Sequence, residues 1–172
     1  RREPSHVLDQ VERAVFPLGR HLEKLVAAHA VAVGHFRDVP AAPVAHLPAV
    51  AEVLVRDGGV RGLVVALGER FSRIRVEGDE LTAQAGASLK RVSLAAQEAG
   101  LSGLEFAAGI PGTLGGGTAM NAGAYGGQLS DVLLSADVLL DGEVRTLSLE
   151  EMQMGYRTTL PLSLNCPVLS VR

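Results

Sequence analysis

The sequence has 172 residues, 47% of them hydrophobic, 3% aromatic and 20% charged, with a formal net charge of −3. That length suffices for one domain of ordinary size or two small lobes, and without tryptophan the core must be built from Val, Leu and Ala. The slightly acidic balance excludes a basic nucleic-acid surface, the single Cys166 excludes an internal disulfide and fits a reducing compartment, and no apolar run reaches membrane-spanning length.

The first 46 residues differ in character from the rest. Val7, Leu8, Val11, Ala14, Val15 and Leu18 recur at helical spacing, and Leu22, Leu25, Val26 and His29 line a second helical face. All five histidines (His6, His21, His29, His35 and His46) lie here, but no two form a compact ligand pair with an acid beside them, so no metal site is expected. The charged N-terminus has no apolar stretch behind it, so no signal peptide is expected and the cytoplasm is the expected compartment.

From residue 53 short elements alternate. Residues 53–55 and 63–67 read as strands about a Gly58-Gly59 turn, and residues 74–77 and 81–85 as a hairpin about Gly78-Asp79. Residues 88–99 predict a helix with Leu89, Val92, Ala95, Ala96 and Ala99 on one face and Gly100 ending it. Residues 132–140 and 143–147 predict a second hairpin about Asp141-Gly142. Ser148 and Glu151 have the spacing of a capping box for a short helix through Met154, and residues 168–171 read as a closing strand. Strands and helices in this order make an α+β domain.

Residues 103–127 hold nine of the twenty glycines. Such density is unfavourable to the folded chain unless the backbone must take positive φ or approach something closely. Pro111 suits the first turn of a helix. N–H groups exposed at that turn, with the Thr113 hydroxyl and with Gly112, Gly115, Gly116 and Gly117 removing bulk, suit a phosphate or pyrophosphate. Asn121, Ala122, Gly123, Ala124 and Tyr125 then read as a second tight loop offering an amide and a phenol. A glycine-rich connection with no ligand stays open as the alternative. The pattern is neither a dinucleotide fingerprint nor a Walker A loop.

The run Gly-Leu-Glu-Phe-Ala-Ala-Gly-Ile-Pro-Gly-Thr-Leu-Gly-Gly from Gly103, followed by Met-Asn-Ala-Gly-Ala-Tyr-Gly-Gly from Met120, resembles the UDP-N-acetylenolpyruvoylglucosamine reductases, flavoenzymes of peptidoglycan precursor synthesis. The resemblance extends through Leu54-Val-Arg-Asp-Gly-Gly, Ala85-Gly-Ala-Ser-Leu, Gly155-Tyr156-Arg157 and Val168-Leu-Ser-Val, covering residues 53–172. It implies a PCMH-type FAD-binding fold, akin to that of vanillyl-alcohol oxidase, with FAD held by Arg56, Asp57, Gly86, Gly109, Ile110, Pro111, Gly112, Thr113, Gly115, Gly116, Asn121, Ala122, Gly123, Ala124 and Tyr125. It further implies NADPH as hydride donor and a UDP-sugar as substrate. On this resemblance Arg157 is the catalytic cation beside the enolpyruvyl group, with Tyr156 its substrate-side neighbour. From the residues alone, Arg157 could equally cap a helix or pair with a surface carboxylate.

Two departures from the family pattern stand out. Where the family carries a Gly-Gly-Gly-Ser-Asn loop around the flavin pyrophosphate, this chain has Leu47-Pro48-Ala49-Val50-Ala51-Glu52. Residues 1–52 are therefore expected to be a divergent segment, either a remodelled first lobe or one read in a shifted frame, and residues 53–172 the FAD-binding lobe. The family's C-terminal substrate domain, with its Ser and Glu, has no counterpart in the sequence, so a truncated fold is expected. Little reductase activity is expected of this chain alone, and a catalytically inactive flavin-binding module is the alternative function.

Overall fold

The computed structural model describes Leu67 and residues 69–172. The expected strand at 53–55, most of that at 63–67, the helical faces before residue 30, all five histidines, Arg56 and Asp57 lie outside the described residues. The described part is an α+β unit. Its strands are β1 (Ile74–Glu77), β2 (Glu80–Gln84), β3 (Gly123–Ala124), β4 (Gly127–Gln128), β5 (Ser135–Leu140), β6 (Glu143–Ser148) and β7 (Val168–Val171), and its α-helices are α1 (Leu89–Glu98), α2 (Leu114–Ala119) and α3 (Leu160–Ser163). Short 3-10 turns stand at Glu69–Phe71, Glu105–Gly109 and Leu129–Asp131.

Five strands form one antiparallel sheet in the order β1-β2-β7-β5-β6. Because side chains alternate along a strand, the register fixes which residues share a face. Ile74, Ala83, Val171, Ala136 and Leu147 are successive partners across all five strands and form one inward row. The opposite face carries Ser170, Asp137 and Thr146, where both hydroxyls donate to the Asp137 carboxylate at 2.6 and 2.7 Å. The inward row packs with Leu89, Val92, Leu114, Leu129 and Met152 into a core whose aromatic member is Phe106.

Local chemistry explains the element ends. Gly78, at φ +65°, opens the two-residue β1–β2 turn, the pattern of a II′ hairpin. Asp141 and Gly142, at φ +52° and +80°, give the I′ turn that an Asp-Gly pair favours between β5 and β6. The Ser88 hydroxyl accepts from the Arg91 N–H and caps α1, while Gly100 at φ +73° ends it. Ser88→Ala should destabilise the fold by about 1 kcal/mol, read as a lower denaturant midpoint at unchanged slope.

Three sequence expectations need correction. The Ser148–Glu151 capping box forms, with Ser148 N–H donating to Glu151 at 2.8 Å and Glu151 N–H to the Ser148 hydroxyl at 3.3 Å, yet no helix follows. Gln153 enters the left-handed region at φ +47° and stops the chain after a single turn. That hydrogen-bonded cap holds the Glu151 carboxyl below its usual pKa, so its contribution is present at neutral pH and is lost as pH falls through the lowered value. Strand β5 begins at Ser135 and not at Val132, because Leu129–Asp131 closes as a 3-10 turn with Gln128 and Asp131 capping each other. Pro111 stands two residues ahead of the cap of α2, which is Thr113, and not in its first turn. Helix α3, capped by Thr159 with Pro161 in its first turn, was not expected; Thr159 followed by Leu-Pro is the signal that identifies it.

Candidate functional site

The glycine-rich stretch divides into an inward part and an outward part. Helix α2 packs against the loop that joins β2 to α1. Leu114 N–H donates to Ala87 O at 2.7 Å, Gly115 N–H to Ala85 O at 2.9 Å, and Leu89 N–H to Gly112 O at 3.1 Å. A Cβ on Gly115 would sit 2.6 Å from Ala85 Cβ, and one on Gly117 would sit 3.0 Å from Leu89 Cδ1. These two glycines serve close packing. The Thr113 hydroxyl accepts from the Gly116 N–H at 3.4 Å, and Gly86 N–H donates to Phe71 O at 2.9 Å. The N–H groups of Gly86, Leu114, Gly115, Gly116 and Gly117 are thus engaged within the chain. This corrects the expectation that the start of α2 is an open phosphate cradle.

The outward part is residues 108–113, exposed except at the half-buried Ile110. Gly112 stands at φ +122°, where side-chain-bearing residues are strained, and a Cβ there or on Gly109 would meet nothing within 4 Å. The N–H groups of Gly112 and Thr113 have no hydrogen-bond partner among the described residues. An exposed backbone ridge with two unpartnered donors fits a phosphate-bearing cofactor better than the packed helix behind it.

The second loop is a miniature hairpin. Gly123 pairs with Gln128 and Ala124 with Gly127, and a Cβ on Gly123 would come within 2.6 Å of Gly127 O. Tyr125 and Gly126, at φ +54° and +87°, form its I′ tip and leave the Tyr125 ring 96% exposed. Ala122 is buried, its N–H donating to Gly117 O at 2.8 Å and its carbonyl accepting from Leu129 N–H at 3.0 Å. Asn121 is buried as well, at φ +43°. Its Nδ2 donates toward Gln128 Oε1 at 3.1 Å, Gly155 O at 3.2 Å and Ser130 Oγ at 3.4 Å, and its Oδ1 accepts from Ser130 N–H at 3.0 Å. The expected ligand-facing amide is instead a knot between three segments.

Arg157 does not end a helix. Gly155 and Thr158 form an isolated bridge, and Tyr156 and Arg157 are the two residues of its turn. Arg157 takes φ +56°, a conformation that type II turns normally give to Gly or Asn. Tyr156 is 91% exposed, Arg157 is also exposed, and no salt bridge among the described residues involves Arg157. Both roots of the turn are tied to the glycine-rich unit: Asn121 reaches Gly155 O, and the Thr159 hydroxyl donates to Ala119 O at 2.8 Å. The fold thereby joins the Tyr156–Arg157 turn to the segment that runs from α2 to Tyr125.

Tyr125 and Arg157 are bulky residues in left-handed backbone, which costs about 1–2 kcal/mol each. A cleft of about 640 Å³ lies beside Tyr125 and Gly126, bounded by Gly103, Glu105, Phe106 and Asp131. Cys166 is buried away from solvent, and desolvation with the Asp141 charge pushes its thiol pKa up, which leaves it a poor nucleophile. Among the described residues no group of His, Cys, Asp and Glu could hold a metal, and no helix is long and apolar enough to cross a membrane.

The chain is 49% identical over 131 residues to UDP-N-acetylenolpyruvoylglucosamine reductase of Lactococcus lactis subsp. cremoris (strain MG1363), an alignment spanning 76% of this chain and 44% of the relative. It is 52% identical over 111 residues to the protein of that name from Geobacillus kaustophilus, covering 64% of this chain and 36% of the relative. The chain therefore spans less than half the length of these relatives. A crystal structure of UDP-N-acetylenolpyruvylglucosamine reductase from Thermus caldophilus superposes with a TM-score of 0.50 at 36% identity, over 57% of this chain and 36% of that one. The family model described as FAD binding domain matches residues 23–148, reaching upstream of residue 53 into the segment that the motifs set apart. On that match, which takes in most of the chain and the whole glycine-rich stretch, this chain belongs to the FAD binding domain family.

Proposed function

We propose that this chain is the FAD-binding part of an enzyme that reduces the enolpyruvyl ether of a UDP-amino sugar to its lactyl ether, UDP-N-acetylmuramate, with NADPH as the source of reducing equivalents. The observation that supports this most is Arg157, a cation with no salt bridge among the described residues, held at the tip of a strained turn and tied at both roots to the glycine-rich unit. Among the described residues neither a helix cap nor a surface ion pair accounts for such an arginine.

The residues that would hold the flavin are the exposed ridge at Gly109, Ile110, Pro111, Gly112 and Thr113 and the hairpin tip at Tyr125. When bound, the flavin supplies hydride chemistry. The work of the chain itself is electrostatic. Adding hydride to the β-carbon of an enolpyruvyl group leaves negative charge on the carboxylate-bearing fragment as an enolate. A guanidinium fixed beside that position stabilises the developing charge more than the neutral double bond, which is the condition for raising a rate. Arginine suits the task because its planar fork engages two oxygens at once. Tyr156 supplies an exposed ring on the same turn for substrate positioning.

Flavin titration followed by turnover tests the reading. The chain should quench FAD fluorescence saturably and shift the flavin absorption bands, and Gly112→Val should weaken that binding at least tenfold by straining the ridge. UDP-sugar-dependent oxidation of NADPH then supports the reductase. That turnover is measured with the chain joined to the C-terminal part of a full-length relative; flavin binding with no turnover in that fusion marks a flavin-binding module, and absence of flavin binding overturns both.

A further inference from the structure

We propose that Asn121 is the positioning residue for Arg157, acting through the Gly155 carbonyl that its side-chain amide grips. The inference builds on the proposed role of Arg157, but its geometric core stands apart from that role. Asn121 is 6% exposed and its amide meets four partners, three of them inside the loop of residues 121–130. The fourth, Gly155 O, lies thirty-four residues away and is the carbonyl that also accepts the Thr158 N–H closing the turn. That second bond is long, at 3.4 Å, against 2.9 Å for its companion from Gly155 N–H to Thr158 O. The turn's own ladder is therefore weak on the side that Asn121 supports. Arg157 needs such support, because its left-handed backbone is unfavourable and relaxes if the turn opens.

The partners also differ in what they can tolerate. Ser130 carries a hydroxyl that rotates to donate as well as accept, whereas a backbone carbonyl only accepts. Asn121→Asp keeps the shape, the tolerance of positive φ and the oxygen that receives Ser130 N–H. The Ser130 hydroxyl rotates to donate to the new carboxylate, while the Gln128 amide stays held by its capping bonds to Asp131. Gln128 Oε1 and Gly155 O are left facing an oxygen they cannot bond, and of these Gly155 O is the one that belongs to the Arg157 turn.

Amide hydrogen exchange by NMR on the whole chain tests this. In Asn121→Asp the Thr158 and Gly155 amides should exchange roughly tenfold faster or more, while Ser130 keeps its protection, and the Arg157 Nε–H resonance should shift. A uniform rise at Ser130, Gly155 and Thr158 shows a merely structural residue and overturns the proposal, as does unchanged exchange at Thr158. Should the carboxylate prevent folding, Asn121→Ser, uncharged and too short to reach Gly155 O, gives the same comparison of Thr158 with the β5–β6 amides. None of these readouts needs flavin or turnover, so failure of the functional reading is seen separately, in the flavin titration.

Discussion

Gly115→Ala should destabilise the protein by about 2–3 kcal/mol, although alanine is the better helix former and the position lies inside α2. The added methyl would sit 2.6 Å from Ala85 Cβ and 3.2 Å from Ala85 O. Neither neighbour can swing aside: Ala85 has no rotamer to change, and its backbone is pinned by Ala85 N–H donating to Leu169 O at 2.8 Å and by the Gly115 N–H bond itself. Relief requires moving α2 away from the sheet, which weakens the bonds that join Leu114 to Ala87 and Gly115 to Ala85. Gly116→Ala is the matched control. Its methyl would meet only the Thr113 hydroxyl at 3.5 Å, so the gain in helix propensity survives and stability should rise by about 0.5–1 kcal/mol. Denaturant unfolding of the two variants decides the matter. Equal effects at the two positions would mean that the glycines are interchangeable spacers and that the close approach of α2 is wrong.

Arg157→Gly should do the opposite of an ordinary loss-of-contact mutation. Relief of left-handed strain contributes about 1–2 kcal/mol, and the extra chain entropy of glycine removes about 0.5–1 of it. No ion pair among the described residues is lost, so the net expectation is a gain of about 0.5–1 kcal/mol in unfolding free energy. Whatever UDP-sugar-dependent reduction the chain sustains should fall about 10²–10³-fold, the range for removing one donor to a developing oxyanion. Flavin affinity should be unchanged, because the outward ridge at residues 108–113 is a separate segment. A stability gain joined to an activity loss identifies strain retained for function. A destabilised Arg157→Gly would show that the side chain packs structurally and would withdraw it from the mechanism.

The sequence by itself determined those parts of the molecule that depend on near neighbours. The turns at Gly78-Asp79 and Asp141-Gly142, the Ser88 cap and Gly100 stop of α1, and the hairpin strand β1 all rest on dihedral preferences or hydrogen bonds within a few residues, so they were legible in advance, as was β7 from its β-branched and apolar run. The glycine density correctly marked a special region, and the motifs around it correctly placed the chain among FAD-binding domains. What each glycine is for was not legible. Gly115 and Gly112 stand three residues apart in the same run, yet one makes room for Ala85 from a distant loop and the other holds an open, left-handed ridge. The same limit governed Asn121, whose amide looked available for a ligand until Gly155 and Ser130 were brought to it. Only the tertiary structure decided these assignments, because the partners that engage a buried amide or exclude a methyl group stand seven to thirty-four residues away, beyond the reach of local propensity.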